Sequence, residues 1–367
     1  MLPSTERLLL GPGPSPVSPR IMRAMSAPVL SHLDGDLMAI LDRIRTRLAA
    51  TFKVAPDGLT LAVSGTGTSG MEAAVANLTR PGSRALVVVS GYFGDRLAQM
   101  LERYGATVTR VEGEWGRASD PSLVERALAG GGADIVAMVH AETSTGVLNP
   151  VADMCAIAQR HGALTIVDAV TSLGAHPVDV AGWGIDACYS CTQKGLGAPS
   201  GLAPIAFSAR ARGLASGATP LRSRSFYFDL QLLEDYWVRR KYHHTISAPL
   251  IYALSEALLV VEEEGLEARA SRHCKNHLTM AEGLQRLGLS LLPPAAERLW
   301  SLNAVVVPEG VDEAVVRKRL LQEYDIEIGA GLGPLAGRIW RVGLMGSGST
   351  PVNIARFLTA LAAILDR

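Results

Sequence analysis

The sequence predicts an α/β protein, with a mainly parallel sheet covered by helices on both faces and a smaller C-terminal α/β unit. Three observations carry that expectation. Short apolar runs alternate with helical-period segments from about residue 59 onward, the pattern of parallel strands joined by crossover helices. Glycine-rich and hydroxyl-rich stretches follow those apolar runs, at the strand ends where open α/β sheets take ligands. A chain of 367 residues with 48% apolar content is long enough for two cores. The expected division is an N-terminal arm over 1–20, a large domain over 21–265 and a small domain over 266–367.

Composition excludes several classes. The 35 basic and 35 acidic residues balance, so nothing favours nucleic acid or an anionic membrane, and 19% charge argues against disorder. No stretch approaches the roughly 18 apolar residues of a membrane span. Leu8-Leu9-Leu10 is too short for a signal peptide, and the C-terminal Leu365-Asp366-Arg367 is no peroxisomal address. Cys155, Cys188, Cys191 and Cys274 form no disulfide framework, which suits a reducing compartment; the expectation is a cytoplasmic protein. Cys188 and Cys191 stand at C-x-x-C spacing without a second Cys/His pair, so they read as small buried hydrophobes, and no metal is expected. His243-His244 likewise lacks a further ligand at metal spacing.

Taken in order, residues 8–20 are rich in proline and glycine, an extended segment that reads equally as a plain arm or as a backbone wall near a site. A helix follows over about 37–52 on the apolar spacing of Leu37, Ile40, Leu41, Ile44 and Leu48. Leu59 to Val63 predicts a strand, followed by Ser64-Gly65-Thr66-Gly67-Thr68-Ser69-Gly70 and a helix. That is literally G-x-G-x-x-G, yet the next strand, Ala85 to Val89, ends in Ser90-Gly91 rather than the acid that would hold a ribose. The interleaved hydroxyls favour a monophosphate cup at the helix N-terminus, with a dinucleotide site or a plain turn as alternatives.

Tyr92-Phe93 between Gly91 and Gly94 offers a ring for stacking on a flat ligand, or for capping the core. Thr107 to Val111 is a strand, and Asp120-Pro121 caps a helix. Asp134 to His140 is a strand leading to Glu142 and Thr143, and a helix over 151–161 leads into Leu164–Asp168. Ala187 to Cys191 and Ala203 to Phe207 are further strands. A helix closing on Glu262-Glu263-Glu264 leads to the C-terminal unit, with helices over 266–287, 312–323 and 350–366 and strands over 299–307 and 338–344.

The chemistry centres on Lys194. Between Lys53 and Lys275 the only lysines are Lys194 and Lys241, and Lys194 stands between a strand-like run and Gly195, Gly197, Pro199 and Gly201. Desolvation there disfavours the ammonium and lowers the pKa, as an amine nucleophile needs. Asp168 ends the preceding apolar strand. A strand ending in a carboxylate and a second ending in lysine is how a pyridoxal-phosphate site is assembled: lysine for the aldehyde, aspartate for the pyridinium nitrogen. An NAD-dependent dehydrogenase rests on the glycine loop alone.

The segments LLLGPGPSPVSPRIM, SGTGTSGMEAA, HAETSTGVLNP, VDAVTSLGAHPVDV, SCTQKGLGAPSGLAP, YHHT and GRIWRVGLMGSGST run almost end to end. Through them the chain resembles the class V, fold type I pyridoxal-phosphate aminotransferases, in their alanine–glyoxylate and serine–glyoxylate branch. The resemblance implies pyridoxal 5′-phosphate as cofactor, Lys194 as its covalent anchor, Asp168 at the ring nitrogen, Phe93 on the ring face and Thr143 by the ring hydroxyl. It places the phosphate on Thr66, Gly67, Thr68 and Gln193, with Tyr242 and Thr245 reaching the neighbouring subunit's phosphate in a homodimer. Arg341, with Gly13, would bind the substrate carboxylate. Two positions depart from the animal enzymes: Phe93 where they carry Trp, and Thr68 where they have His. The implied reaction moves an amino group from alanine or serine to a 2-oxo acid, glyoxylate in particular. Ureidoglycine–glyoxylate and pyridoxamine–pyruvate transaminases share the scaffold. A cysteine desulfurase would need a late loop cysteine, but Cys274 falls in a predicted helix.

Overall fold

The computed structural model describes residues 6–216 and 222–366. Its large sheet has seven strands: β2 (Leu59–Gly65), β3 (Arg84–Val89), β4 (Thr107–Glu112), β5 (Ile135–Val139), β8 (Leu164–Asp168), β9 (Ala187–Tyr189) and β10 (Gly201–Phe207), after a short β1 (Leu8–Leu9) outside it. Their order is β2-β10-β9-β8-β5-β3-β4. Pairing is parallel from β4 across to β9, while β10 runs antiparallel to both neighbours. β5 and β8 are buried along their whole length, which is why they read as continuous apolar runs rather than alternating ones. The direction of β10 has a local cause: residues 190–200 carry no crossover helix, so the chain can only return antiparallel.

Helices α1 (Pro19–Met25), α2 (Gly35–Phe52), α3 (Gly67–Leu78), α4 (Tyr92–Arg103), α5 (Pro121–Gly131) and α6 (Val151–Arg160) precede or connect these strands. A small antiparallel pair, β6 (Ala141–Glu142) with β7 (Val147–Leu148), sits beyond β5. After β10 come α7 (Ala209–Ser216), α8 (Leu230–Trp237) and α9 (Ala248–Glu264). Start signals are visible at several helices. Asp120 accepts from the Ser122 amide at 2.8 Å ahead of Pro121, and Asp34 caps α2 in the same way. α1 corrects the expectation of a uniformly extended arm. Ser18 and Pro19 are a cap and first-turn proline, not a continuation of the proline-rich stretch. The strand expected to reach Cys191 stops at Tyr189, so Lys194 lies in a turn beyond it.

The C-terminal part holds α10 (Leu266–Arg286), β11 (Leu302–Val306), α11 (Glu313–Tyr324), β12 (Ile326–Glu327), β13 (Gly329–Ala330), β14 (Ile339–Gly343) and α12 (Pro351–Leu365). β14 lies between β11 and β13, antiparallel to both. Two large, separate apolar clusters result, with smaller ones beside them. One packs both faces of the large sheet; the other joins α10, α11 and α12 around Trp340 and Phe357. Leu10 belongs to the second cluster, because β1 pairs with β12 and the Leu10 carbonyl accepts from Gly343 N at 2.7 Å. From there the chain crosses back, and Ser15 N donates to Gln193 O at 2.9 Å.

Arg269, on α10 and nearly inaccessible, ties the two parts together. Its Nε donates to Gly174 O at 2.9 Å, one Nη to Gly195 O at 2.7 Å, and the other pairs with Glu264. Removing it strands two buried carbonyls, while Glu264 keeps Arg272, and such losses destabilise by about 3 kcal/mol. Arg269→Ala is therefore expected to lower the urea midpoint by that equivalent with an unchanged m-value. A shift worth less than about 0.5 kcal/mol, the scatter of neutral surface changes, would show that the clamp carries no stability.

Candidate active site

The ends of five strands, β2, β3, β5, β8 and β9, meet at one cavity of about 160 Å³. At the end of β2 the chain turns through Gly65, with φ +132°, where a Cβ would lie 2.5 Å from Ser69 Oγ. Thr66 then stands at the N-cap of α3 without capping it by its side chain, so its hydroxyl and the first amides of the helix are left for a ligand. Thr66, Gly67 and Thr68 all line the cavity. Gln193 lines it too, with its Oε1 buried and lacking a hydrogen-bond partner among the described residues.

Asp168 ends β8 and is 3% exposed. Its Oδ1 accepts from Val170 N at 2.8 Å and its Oδ2 from the Tyr189 hydroxyl at 2.9 Å. Burial nevertheless pushes the carboxyl up to about 7, with nearby Glu142 adding to the rise and Lys194 and the two hydrogen bonds opposing it. An ionised Asp168 thus wants a cation that the folded chain does not supply at contact distance.

Lys194 is held by its backbone. Its carbonyl accepts from Ser15 Oγ at 2.9 Å and Gly197 N at 3.0 Å, and the flanking carbonyls of Gln193 and Gly195 are taken by Ser15 N and Arg269. The side chain lines the cavity, and Nζ donates to the carbonyl of Pro12. Burial lowers its pKa and the charge of Arg341 lowers it further, while Cys191 and Asp168 act in the opposite sense. Gly13, at φ +111°, lies directly against it: a Cβ there would stand 2.7 Å from Lys194 Cδ and Nζ. The proline-rich arm packs directly on the lysine side chain.

Phe93 lines the cavity from the first turn of α4. Its placement depends on Glu142, which sequence reasoning passed over. The Glu142 carboxylate is fully buried and accepts from Phe93 N and Gly94 N, each at 3.2 Å, and from Ser144 N and Oγ at 3.1 and 2.6 Å. A carboxylate at the positive end of a helix is favourably placed, and it fixes that helix start beneath Thr143. The only signal in sequence was an acid three residues past a fully apolar strand. Thr143 lines the cavity and bonds Thr171 Oγ1 at 3.0 Å.

Arg341 approaches from β14. Nε donates to Ala330 O at 2.6 Å and one Nη to Thr143 O at 3.4 Å. Among the described residues no carboxylate forms an ion pair with it. Burial lowers its pKa to about 10, against the pull of Glu142.

The structure thus brings together eight expected residues at the cavity (Thr66, Gly67, Thr68, Phe93, Thr143, Asp168, Gln193 and Lys194), with Gly13 and Arg341 at its edge. Tyr242 and Thr245 are not among its lining residues; both are exposed, and the Tyr242 ring leans on His32 at 5.1 Å. Met71, Arg96, Val139, Ala141, Val170 and Cys191 line the cavity and were not foreseen. Chemically, the cavity offers a desolvated amine, a buried carboxylate lacking a cation, a flat ring and an anion-binding helix start. That set complements a ligand carrying an aldehyde, a basic ring nitrogen and a phosphate.

Comparison with known proteins agrees. Residues 13–337 match the family model "Aminotransferase class-V". The (S)-ureidoglycine–glyoxylate transaminase of Bacillus subtilis is 38% identical over 98% of this chain and 91% of its own length. The alanine–glyoxylate aminotransferase of Drosophila melanogaster is 36% identical over 97% of this chain and 91% of its own. The crystal structure of the alanine–glyoxylate aminotransferase of Nostoc sp. superposes with a TM-score of 0.95 at 42% identity, covering 100% of this chain and 97% of that one. With its lysine, carboxylate and anion cup at one mouth of a fold type I sheet, the chain belongs to the class-V aminotransferases and uses pyridoxal 5′-phosphate.

Proposed function

We propose that this aminotransferase takes the amino group of a small amino acid, alanine or serine, and delivers it to glyoxylate. The observation that carries the reading is Arg341: a guanidinium without an acidic partner among the described residues, at the edge of the cavity that holds Lys194 and Asp168, suits an α-carboxylate. Glyoxylate also stands in the names of the relatives described above. Ureidoglycine as donor is the second reading, favoured by the similarity to the Bacillus subtilis enzyme.

The residues present fit the cofactor, and each is assigned a part. When bound, pyridoxal phosphate supplies an aldehyde for the amino group and a protonated ring that draws off the charge left on the α-carbon. Lys194 Nζ is its covalent anchor and, once released, the base that takes the α-proton and returns it. Asp168 keeps the ring nitrogen protonated, Phe93 covers one ring face and Thr143 meets the ring hydroxyl. Thr66, Gly67, Thr68 and Gln193 hold the phosphate. Arg341 and the backbone of Gly13 orient the substrate carboxylate.

We propose in addition a homodimer in which Tyr242 and Thr245 complete the neighbour's phosphate site. Both are exposed in the single chain, alongside the exposed Phe226 and Tyr227, which supports a covering partner. An active monomer in light scattering would rule this out. The division into an arm (1–20), a large domain (21–265) and a small domain (266–367) is proposed on the two separate cores, and partial proteolysis tests it through cuts near residue 265. No helix is long and apolar enough to cross a membrane among the described residues. A cytoplasmic site is proposed because all four cysteines are free, and cell fractionation tests it.

A donor screen tests the substrate proposal. With glyoxylate as acceptor, alanine or serine is expected to give the highest kcat/KM; ureidoglycine ahead of both would establish the second reading, and no turnover with glyoxylate would refute both. Arg341→Lys keeps the charge but loses the fork. It should cost about 1.5–3 kcal/mol in kcat/KM for both substrates while cofactor binding is intact. Unchanged kinetics would return Arg341 to packing.

Asp168 predicts a pH dependence in the cofactor-free protein. Its folded pKa of about 7 lies above the ordinary 3.8, so between those values the folded chain binds more protons than the unfolded. Stability from this group is present below about pH 4 and is lost as pH rises through 7. Asp168→Asn should erase that slope. The stability of the variant relative to wild type is expected to grow between pH 4 and 8, by up to about 4 kcal/mol, in denaturant titrations without cofactor. A pH-independent difference would mean that the carboxyl is not strained by burial.

A further inference from the structure

Two cations line the cavity, Lys194 and Arg96, and nothing described so far uses Arg96. It stands in the second turn of α4, part-buried. One Nη donates to Thr68 Oγ1 at 3.2 Å. The guanidinium carbon lies 5.0 Å from the centroid of the Phe93 ring and 5.2 Å from that of Tyr92. Its acidic neighbour Asp95 is turned elsewhere, toward Gln99 and Arg110. Among the described residues Arg96 forms no ion pair.

We propose that Arg96 is the phosphate-binding cation of the cup, acting by its charge and through the hydroxyl of Thr68; this rests on the cup reading above. The charge balance requires such a group. A phosphate monoester carries a charge of about −1.5 to −2 near neutral pH. The start of α3 offers about half a positive charge, and Lys194 is committed to the covalent bond. Without Arg96 the cup would hold an anion with no full positive charge lining it. The hydrogen bond has a second effect. A threonine hydroxyl that accepts from Arg96 keeps its own hydrogen free to donate, so Arg96 turns Thr68 into a donor aimed away from α4. Stacking against Phe93 and Tyr92 restricts the guanidinium to one orientation, and cation–π attraction is favourable at this separation. The ring expected to cover the cofactor and the cation expected to hold its phosphate are therefore one packed unit on one helix.

The test separates phosphate recognition from a general effect on the site by comparing two ligands that differ only in the phosphate. Cofactor-free wild type, Arg96→Gln and Arg96→Lys are titrated with pyridoxal 5′-phosphate and with pyridoxal, at low and at moderate salt. Arg96→Gln is expected to weaken pyridoxal phosphate by about 10- to 100-fold, the range for hydrogen bonds to a charged group. Pyridoxal should bind as before, and the salt dependence of pyridoxal phosphate binding should flatten. Arg96→Lys, which retains charge without the fork, should fall between. An equal loss for both ligands would overturn the proposal, making Arg96 a support for Phe93. Unchanged affinity for pyridoxal phosphate with a raised KM for the amino donor would overturn it as well. If wild type itself did not prefer pyridoxal phosphate to pyridoxal, the phosphate-cup reading would fall, and this proposal with it.

Discussion

A carboxylate buried at the end of a parallel strand is an unfavourable arrangement unless something cationic meets it, and Asp168 is so placed. Two hydrogen bonds, from Val170 N and Tyr189, hold its oxygens yet do not offset the desolvation that lifts its pKa to about 7. The charges around it share that environment. Lys194 is pushed toward its neutral amine, Glu142 is hydrogen-bonded by four donors rather than paired with a cation, and Arg341 has no acidic partner among the described residues. Groups left in this state are complementary to a ligand that brings opposite charges with it, and the class-V match shows which kind of ligand that is.

Holding such groups in place takes backbone rather than side-chain packing. The Lys194 turn is fixed carbonyl by carbonyl, from the N-terminal arm through Ser15 and from α10 through Arg269. Both supports reach the second apolar cluster, the arm through Leu10 and α10 through its own buried face. The C-terminal unit is thereby coupled to the backbone around Lys194. Gly13 is where this coupling is tightest, since any side chain there would occupy the space of the lysine amine.

Much of this was legible in sequence, for identifiable reasons. Leu164–Asp168 was readable residue by residue because a strand buried on both faces is an uninterrupted apolar run ending at its first charge. The turn from β2 into α3 was readable because glycine and hydroxyl residues have few other reasons to alternate between a strand and a helix. Strand direction was not readable: periodicity is the same either way, and β10 runs antiparallel only because its connection is short. α1 was hidden because Pro19 marks a helix start in the same letters that mark an extended arm. Glu142 and Arg96 were missed for a third reason. Their significance comes from what they touch across the fold, the amides of α4 and the hydroxyl of Thr68, and no local pattern reports such a contact.

Lys194, desolvated in its turn beyond β9, is proposed as the amine that carries the cofactor. Borohydride reduction of the holoenzyme followed by peptide mapping tests it most directly. One modified peptide is expected, with the pyridoxyl phosphate mass on Lys194. Modification on Lys241 or another lysine instead, or none at all in a protein that turns over, would contradict it.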